Sequence, residues 1–484
     1  MNGPTGGRTI KKSSDILYTK EAAMLSIRKK KQIVLVNPQH SYGGRLVYLP
    51  GSVVGIAAVL MAMGHSVKVV DLNIDRLGDA LVAAAIRAAD LIGISLTGAP
   101  YIPEMLRLIP RMRRLTQAPI MLGGQVVERL TPEQFERIFH GHSNVAQIAS
   151  NTDLASVLGC DESQIHSAYA VPFQPVFEAM GEERVGAYLA KEMTLVVSQG
   201  CHFKCAFCAA RKGESEQFRA ALHFETDVRY LAEVAKKKGV NEIRFYASSL
   251  DFFQNPAQVM EFLATLARVQ EETGVRFQVR CLSCLTSFVK ASERIPEFGV
   301  LLERAGLWCV GFGSDGTDEQ VWKAEKKPQN TLAKLVECIV LTHELGVRAE
   351  ILMVLGFPEE TWETLNKTLE TSRWITRMWS HTLIRPYLAK PFVPGNDGWV
   401  KDEGAVAQVV EHPYLFYNLD FAALGSKLTH PNRWHRFLSN FAYLRLCALT
   451  LTGRGSTSPI LPQGAGGILG WIAQVINRLM PFDR

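Results

Sequence analysis

The 484-residue chain has no run of about eighteen consecutive apolar residues, the length that a membrane-crossing helix needs. It also has no apolar stretch ahead of Ile33 and so no visible export signal. The expectation is a cytoplasmic protein without a transmembrane span. Its nine cysteines are an odd number in a chain lacking export signals, which argues against a disulfide framework and for reduced thiols. No GxGxxG follows the first strand-like run, which lowers the case for a dinucleotide site. Repeats and low-complexity segments are absent too, so solenoids and disordered scaffolds fall away.

With 47% hydrophobic and 21% charged residues the chain has the composition of a packed globular protein, and its length suggests two or three domains. The net charge of +6 is uneven: Lys11, Lys12, Lys20, Arg28, Lys29, Lys30 and Lys31 crowd the start of the chain. Such an arm suits a solvated tail better than a nucleic-acid contact, and nucleic acid is not an expected partner.

From Ile33 the pattern alternates strand and helix. "IVLVN" (Ile33–Asn37) opens into the loop "PQHSYGG". An amphipathic stretch from Ser52 to Met63 follows and stops at Gly64. "SVKVVDLN", "LIGISLTG" and "PIMLGGQ" read as further strands, with helices between them. Continuous apolar strands between amphipathic helices predict a parallel sheet covered on both faces, a doubly wound domain. Ligands in such sheets sit at the carboxyl ends of the strands. Asn37, Ser95, Gly123 and Gly124 are therefore the candidate binding residues of this domain.

Residues 140–190 read as an irregular connection. From Met193 a second βα series begins with "MTLVVSQG" and continues through "EIRFYAS", "RFQVRCLS", "LWCVGFGS", "RAEILMVLG" and "HTLIRPYLA". Six units fit an open, partial TIM-like barrel. The expected organisation is a basic tail (1–31), a doubly wound domain (32–150), a linker (151–190), the partial barrel (191–400) and a mostly helical C-terminal region (401–484). In the last of these, Ile468, Leu469, Ile472, Val475, Ile476, Leu479 and Met480 fall on one helical face.

The chemistry sits in "SQGCHFKCAFCAARKGE", where Cys201, Cys205 and Cys208 are spaced CxxxCxxC. Three thiolates on one tight loop suit three corners of an iron–sulfur cube and leave the fourth iron open to a small molecule. A structural zinc site wants four ligands, commonly as two separated pairs. No second pair stands at suitable spacing, and His202 is poorly placed to join the thiols. Cys281 and Cys284 form a CxxC without supporting ligands and read as core or barrel-lining thiols.

With Phe207 before its last cysteine, this motif resembles the signature of the radical S-adenosylmethionine enzymes. The resemblance implies a 4Fe-4S cluster held by Cys201, Cys205 and Cys208. It implies S-adenosyl-L-methionine (SAM) on the open iron, and its one-electron cleavage to methionine and a 5′-deoxyadenosyl radical. "MVLGFPEETWETL" resembles the family's fifth-strand segment and offers Gly356 and Phe357 as contacts to the cofactor. "CVGFGSDGTDEQVWKAEKK" resembles the fourth-strand segment, with Gly313 where a glutamate is expected and Ser314 or Asp315 taking polar contacts instead. Arg280 could pair with the methionine carboxylate, or form a surface ion pair. The family's glycine–glycine–glutamate segment is replaced by "YASSLDFF", leaving Ser248, Ser249 or Asp251 as substitutes.

A doubly wound domain ahead of such a barrel resembles the cobalamin-binding branch of the family, over roughly residues 33–400. "LVNPQHSYGGRLVYLPGSVVGIAAVLMAMGHSVKVVDLN", "ADLIGISLTG" and "PIMLGGQVVE" carry that likeness. The Asp-x-His-x-x-Gly motif is absent, as is usual for the branch, and the segment after the fourth strand departs from its pattern. The implied activity is cobalamin-dependent methyl transfer to a carbon of a natural-product or pigment-like small molecule. An electron donor such as flavodoxin or ferredoxin would serve it. A second reading drops the cobalamin for radical dehydration, epimerisation or cyclisation, with Tyr246 or Tyr387 returning a hydrogen or proton. A third is a non-enzymatic iron–sulfur or nucleic-acid-binding protein. Trp399, Tyr414, Phe416, Tyr417 and Phe421 read as core or as the lining of a substrate pocket.

Overall fold

The computed structural model describes residues 30–39, 48–210, 213–389, 393–416 and 432–452. The basic arm up to Lys29, most of the "PQHSYGG" loop, Tyr417, Phe421 and the apolar stripe at 468–480 lie outside the described residues. Among those described, no helix is long and apolar enough to cross a membrane.

The first sheet is parallel and holds β1 (Gln32–Asn37), β2 (Ser66–Asp71), β3 (Leu91–Ser95), β4 (Ile120–Gly123) and β5 (Val145–Ile148), in the order β2-β1-β3-β4-β5. That order reverses between β1 and β3, which makes their carboxyl ends the topological switch point. Strand β1 shows why the sheet is covered on both faces. Ile33 and Leu35 join the larger core, while Val34 and Val36 join a second one. The second core includes Trp399 and Phe416, whose rings stack 6.1 Å apart, and Val406, Val409 and Val410 of helix Glu403–Glu411. Trp399 and Phe416 therefore pack on the N-terminal domain, whereas Tyr414 is exposed with Arg107 over its ring. Strand β5 escapes the sequence pattern because it is half-buried along its whole length and has no apolar run.

The stretch from 151 to 190 is not irregular. It holds helices Asn151–Leu158, Gln174–Met180 and Glu182–Leu189, and Phe173, Val176, Phe177 and Tyr188 enter the larger core. Its short helices and two prolines hide a helical period, while a Ser150 capping box and a left-handed Gly159 bound the first of them.

The second sheet holds β6 (Met193–Val196), then, past a small β-ribbon, β9 (Glu242–Ser248), β10 (Arg276–Ser283), β11 (Leu307–Gly313), β12 (Arg348–Leu355) and β13 (Leu383–Leu388). All are parallel and each pairs with its neighbour in this series, with helices between, which is the expected open six-unit barrel. The ribbon is β7 (Ser198–Gln199) paired antiparallel with β8 (Gln217–Phe218). The barrel stays open between β6 and β13. Near the β6 edge, Tyr48 bridges to Glu192, and a Cβ on Gly51 would lie 2.8 Å from the Val196 side chain. Helix Gly51–Ala62 thus sits against the barrel, and one core spans both domains.

Below the cysteine segment, Arg219 ties three elements together. It pairs with Asp227, donates to the carbonyls of Ala168 and Val171 (2.8 and 2.7 Å), and lies 3.7 Å from the Phe173 ring centre. Both partners are buried, so removing one leaves an uncompensated charge. Arg219→Met is expected to lower stability by about 3 kcal/mol or more, measured by chemical denaturation; a change inside about 0.5 kcal/mol would mean that the pair adds nothing.

Candidate functional site

The segment from Gly200 to Glu216 leaves the carboxyl end of β6 and returns to it through the β7–β8 ribbon, so its two ends are fixed side by side. Gly200 has φ +89°, and a Cβ there would lie 2.6 Å from the Ser215 carbonyl, a close approach that requires glycine. Cys205 is buried and Cys201 and Cys208 are half-buried, all as free thiols. Within the loop, Cys208 N–H donates to the Cys205 carbonyl (3.2 Å) and Gly213 N–H to that of Phe203 (2.9 Å). Other contacts come from outside. Ala206 N–H donates to the Glu325 carbonyl (3.0 Å), and the Ala206 carbonyl accepts from Asp397 N–H (2.9 Å). His202 N–H donates to Gln254 Oε1 (3.2 Å), while Gln254 Nε2 and Ser198 Oγ donate to Glu216 (2.8 and 2.7 Å).

Burial pushes the Cys201 thiol up to about 12 and the Cys205 thiol up to about 11, and the neighbouring thiols push in the same direction. Thiols raised in this way are held as thiolates beside compensating positive charge, which an iron–sulfur core supplies. Among the described residues no group of three or more His, Cys, Asp or Glu side chains is gathered closely enough for a single metal ion. A set of three thiols on one loop is the donor chemistry of an iron–sulfur core. His202 lies against the Phe203 ring.

Lys327 escapes the sequence pattern, because "KAEKK" looks like a solvated charge run. In the fold it is buried, pairs with Asp315, donates to the Gly313 carbonyl (2.5 Å) and stands 5.9 Å from the Phe207 ring centre. Burial works against its charge, but Asp315, Cys284 and Cys205 hold it cationic. Glu216, Glu325 and Glu360 also carry no sequence signal, since only the fold buries them.

The other candidates gather around the same end of the barrel. Phe207 and Phe357 lie 5.2 Å apart. Gly356 has φ +87°, and its N–H and that of Phe357 donate to the buried Glu360 carboxyl. Ser314 is buried and bonds the Gly316 carbonyl (2.7 Å), while its own carbonyl accepts from Trp322 Nε1 (2.6 Å). Asp315 adopts φ +56° and is spent on Lys327. Ser249 bonds Ser198 (2.8 Å), and Asp251 accepts from Ser283, Ser287 and the Cys284 N–H, so both tie loops together. Cys281 is in the core, whereas Cys284 begins helix Leu285–Arg294 and faces Cys201, Cys205 and Lys327. Arg280 lies deeper in the barrel, in a two-bond pair with Glu192 (3.0 and 2.8 Å) and not at the surface.

The N-terminal candidates form a second mouth. At the switch point the Ser52 and Ser95 hydroxyls lie 3.2 Å apart. Asn37 donates to buried Asp71 (2.8 Å), which also accepts from Tyr188 (2.7 Å). Gly123 and Gly124 close β4; Gly124 has φ +101°, and a Cβ there would lie 2.8 Å from the Leu96 carbonyl. Small and polar residues thus stand together at these strand ends. This mouth faces the cysteine segment. Gln125 Nε2 donates to the Ala209 carbonyl (2.6 Å), Arg129 pairs with Glu214 (3.2 Å), and Gly395 packs against both Ala209 and Arg129.

A thiol loop above a partial barrel, set against the switch point of a doubly wound domain, defines a two-cofactor class. The Radical SAM superfamily model matches residues 195–371 and the B12 binding domain model matches residues 49–141. The chain therefore contains both a radical SAM domain and a B12-binding domain. It is 21% identical over 402 residues to an uncharacterized methyltransferase of Pyrococcus horikoshii, covering 76% of this chain and 82% of that one. It is 24% identical over 216 residues to tryptophan 2-C-methyltransferase of Streptomyces laurentii, covering 42% of this chain and 35% of that one. Among solved structures, the radical SAM methyltransferase TsrM of Kitasatospora setae, with cobalamin and a 4Fe-4S cluster bound, gives a TM-score of 0.58 at 16% identity over 78% of this chain and 79% of that one. The cobalamin-dependent SAM radical enzyme OxsB gives 0.55 at 16% identity over 74% and 53%. These structural likenesses show the fold.

The Glu360 carboxyl offers a check on the Gly356–Phe357 turn. Burial raises it from 4.5 to about 7, with Asp318 and Glu359 adding to the rise and the two N–H donors opposing it. Its stabilising contribution is therefore complete below about pH 4.5 and is lost as pH rises through about 7. Glu360→Gln is expected to flatten the loss of stability between these values, measured by chemical denaturation across pH; an unchanged pH slope would contradict this.

Proposed function

We propose that the protein is a cobalamin-dependent radical SAM methyltransferase acting on a small molecule. The observation that carries it is the Gln125–Ala209 contact, which sets the B12-domain mouth against the cysteine loop. When bound, the cluster and SAM supply one-electron cleavage chemistry, and cobalamin supplies a transferable methyl group. Cys201, Cys205 and Cys208 would hold the cluster, with Lys327 offsetting thiolate charge beside Cys205. Phe207, Gly356 and Phe357 form the apolar turn next to it, and Ser314 and Asp315 are the nearby polar candidates for SAM, while Arg280 lies deeper in the barrel and is spent on Glu192. Asn37, Ser95, Gly123 and Gly124, at the strand ends of the switch point, would line the corrin. The cluster needs an external reductant of the flavodoxin or ferredoxin kind. The names of the two methyltransferase relatives support methyl transfer over dehydration, epimerisation or cyclisation.

The test is the cofactor content of protein produced with cobalamin available and reconstituted anaerobically with iron and sulfide. About four irons and one cobalamin per chain are expected; iron without cobalamin would remove the methyltransferase reading and keep the radical one. Cys205→Ala is expected to lose the cluster absorbance and all SAM cleavage. Gly124→Val, strained at its positive φ and crowded by Leu96, is expected to lose cobalamin while keeping its iron.

A further inference from the structure

Deeper in the barrel lies a set of charges that the cofactor sites do not use. Glu192 precedes β6, Arg280 lies on β10, Glu350 on β12 and Arg385 on β13. Arg280 bonds Glu192 through Nε and Nη2 (3.0 and 2.8 Å), and its Nη1 is 3.8 Å from Glu350 Oε2. Glu350 Oε1 accepts from Arg385 Nη2 at 2.8 Å. The result is a row of alternating charge across the lumen, formally neutral and almost entirely out of solvent. Burying four charges is a poor route to stability, since apolar residues of similar volume serve as well or better.

Three observations point to a ligand. Arg385 is 91% buried as a side chain (9% exposed), yet among the described residues its Nε has no hydrogen-bond partner, so a buried donor is left unspent. Two residues further along the same face of β13, Tyr387 is 46% exposed, so the lumen is open to solvent beside Arg385. The walls are aromatic: the Tyr246 ring centre is 4.7 Å from the Arg280 guanidinium, and the Tyr48 hydroxyl is close enough to feel the charges of Glu192, Arg280 and Arg385.

We propose that this lumen is the acceptor site and that it takes a zwitterionic amino acid with a planar side chain, its carboxylate on Arg385 and its ammonium on Glu350. The proposal rests on the methyltransferase reading and names its substrate class. Charge balance selects the ligand. A simple anion on Arg385 would leave Glu350 with only the longer Arg280 contact, and a simple cation on Glu350 would leave Arg385 unopposed, whereas a zwitterion keeps each buried charge opposed. The tyrosine rings provide flat surfaces for a planar side chain. From Arg280 to Ser283, at the mouth beside Cys284, three strand residues span about 10 Å, close to the reach of an aromatic amino acid from carboxylate to ring edge. Anchored below, the ring would lie at the mouth that the two cofactor sites share.

The test is isothermal titration calorimetry on the full-length protein with L-tryptophan, L-tyrosine and L-phenylalanine, against tryptamine and indole-3-propionate. At least one amino acid is expected to bind, and loss of its carboxylate or ammonium is expected to weaken binding at least about tenfold. Arg385→Lys keeps a positive charge facing Glu350 but has no Nε. It is expected to lose about tenfold in affinity with its unfolding midpoint and iron content unchanged. No binding of any of the three amino acids, equal binding of the truncated analogues, or an Arg385→Lys protein that binds like the wild type would each overturn the proposal. Because the analogue series uses the wild type, it stands even where the variant misfolds. Iron and cobalamin measured on the same preparation separate the two levels: amino-acid binding without the cofactors defeats the methyltransferase, and cofactors without amino-acid binding defeat this assignment.

Discussion

A loop that presents three thiols to one cofactor is held here from several sides at once. The ribbon formed by the residues flanking Gly200 and Glu216 keeps its ends together, and contacts from other elements reach its middle. The geometry is borrowed from the Glu325 carbonyl behind Ala206, from Gln254 at His202, from Asp397 on the far side, and from Gln125 of the other domain at Ala209. Each contact comes from a different element, so the barrel, the N-terminal domain and the segment after β13 all brace the loop. The same economy explains the buried polar groups nearby: Asp251, Glu216 and Lys327 connect loops that no strand or helix connects.

This dependence also explains why the two domains share one core. A doubly wound domain needs cover on both faces of its sheet. Here one face is covered by helices that also pack on the barrel, and the other partly by Trp399, Phe416 and helix Glu403–Glu411 from the far end of the chain. Fixing the sheet in this way fixes its switch point against the barrel mouth. Two cofactors that must exchange with one substrate gain from a rigid separation, because positioning lowers the barrier without any new contact.

The legible parts of the sequence are those where a local period or spacing has one structural solution. The apolar runs of β1 to β4, the six βα units and the CxxxCxxC loop are such cases. Strand β5 was illegible because a half-buried edge needs no apolar run, and the helices between 151 and 190 because they are too short to show a period. Lys327 and Glu360 read as ordinary surface charges until the fold brings them beneath the cysteine loop and the Gly356 turn. The row from Glu192 to Arg385 is the extreme case: its members lie far apart in sequence, each at an unremarkable strand position, and only barrel closure aligns them. Local chemistry is written in spacing, whereas a lumen is written in register, which a single chain without its pairing does not display.

The central claim is that the B12-domain mouth and the cysteine loop face one another across the Gln125–Ala209 contact. Electron paramagnetic resonance on protein holding both the reduced cluster and cob(II)alamin tests this most directly. A through-space magnetic interaction, seen as faster relaxation of the cobalt signal when the cluster is reduced, is the expected result. Two signals that relax independently of one another would contradict it.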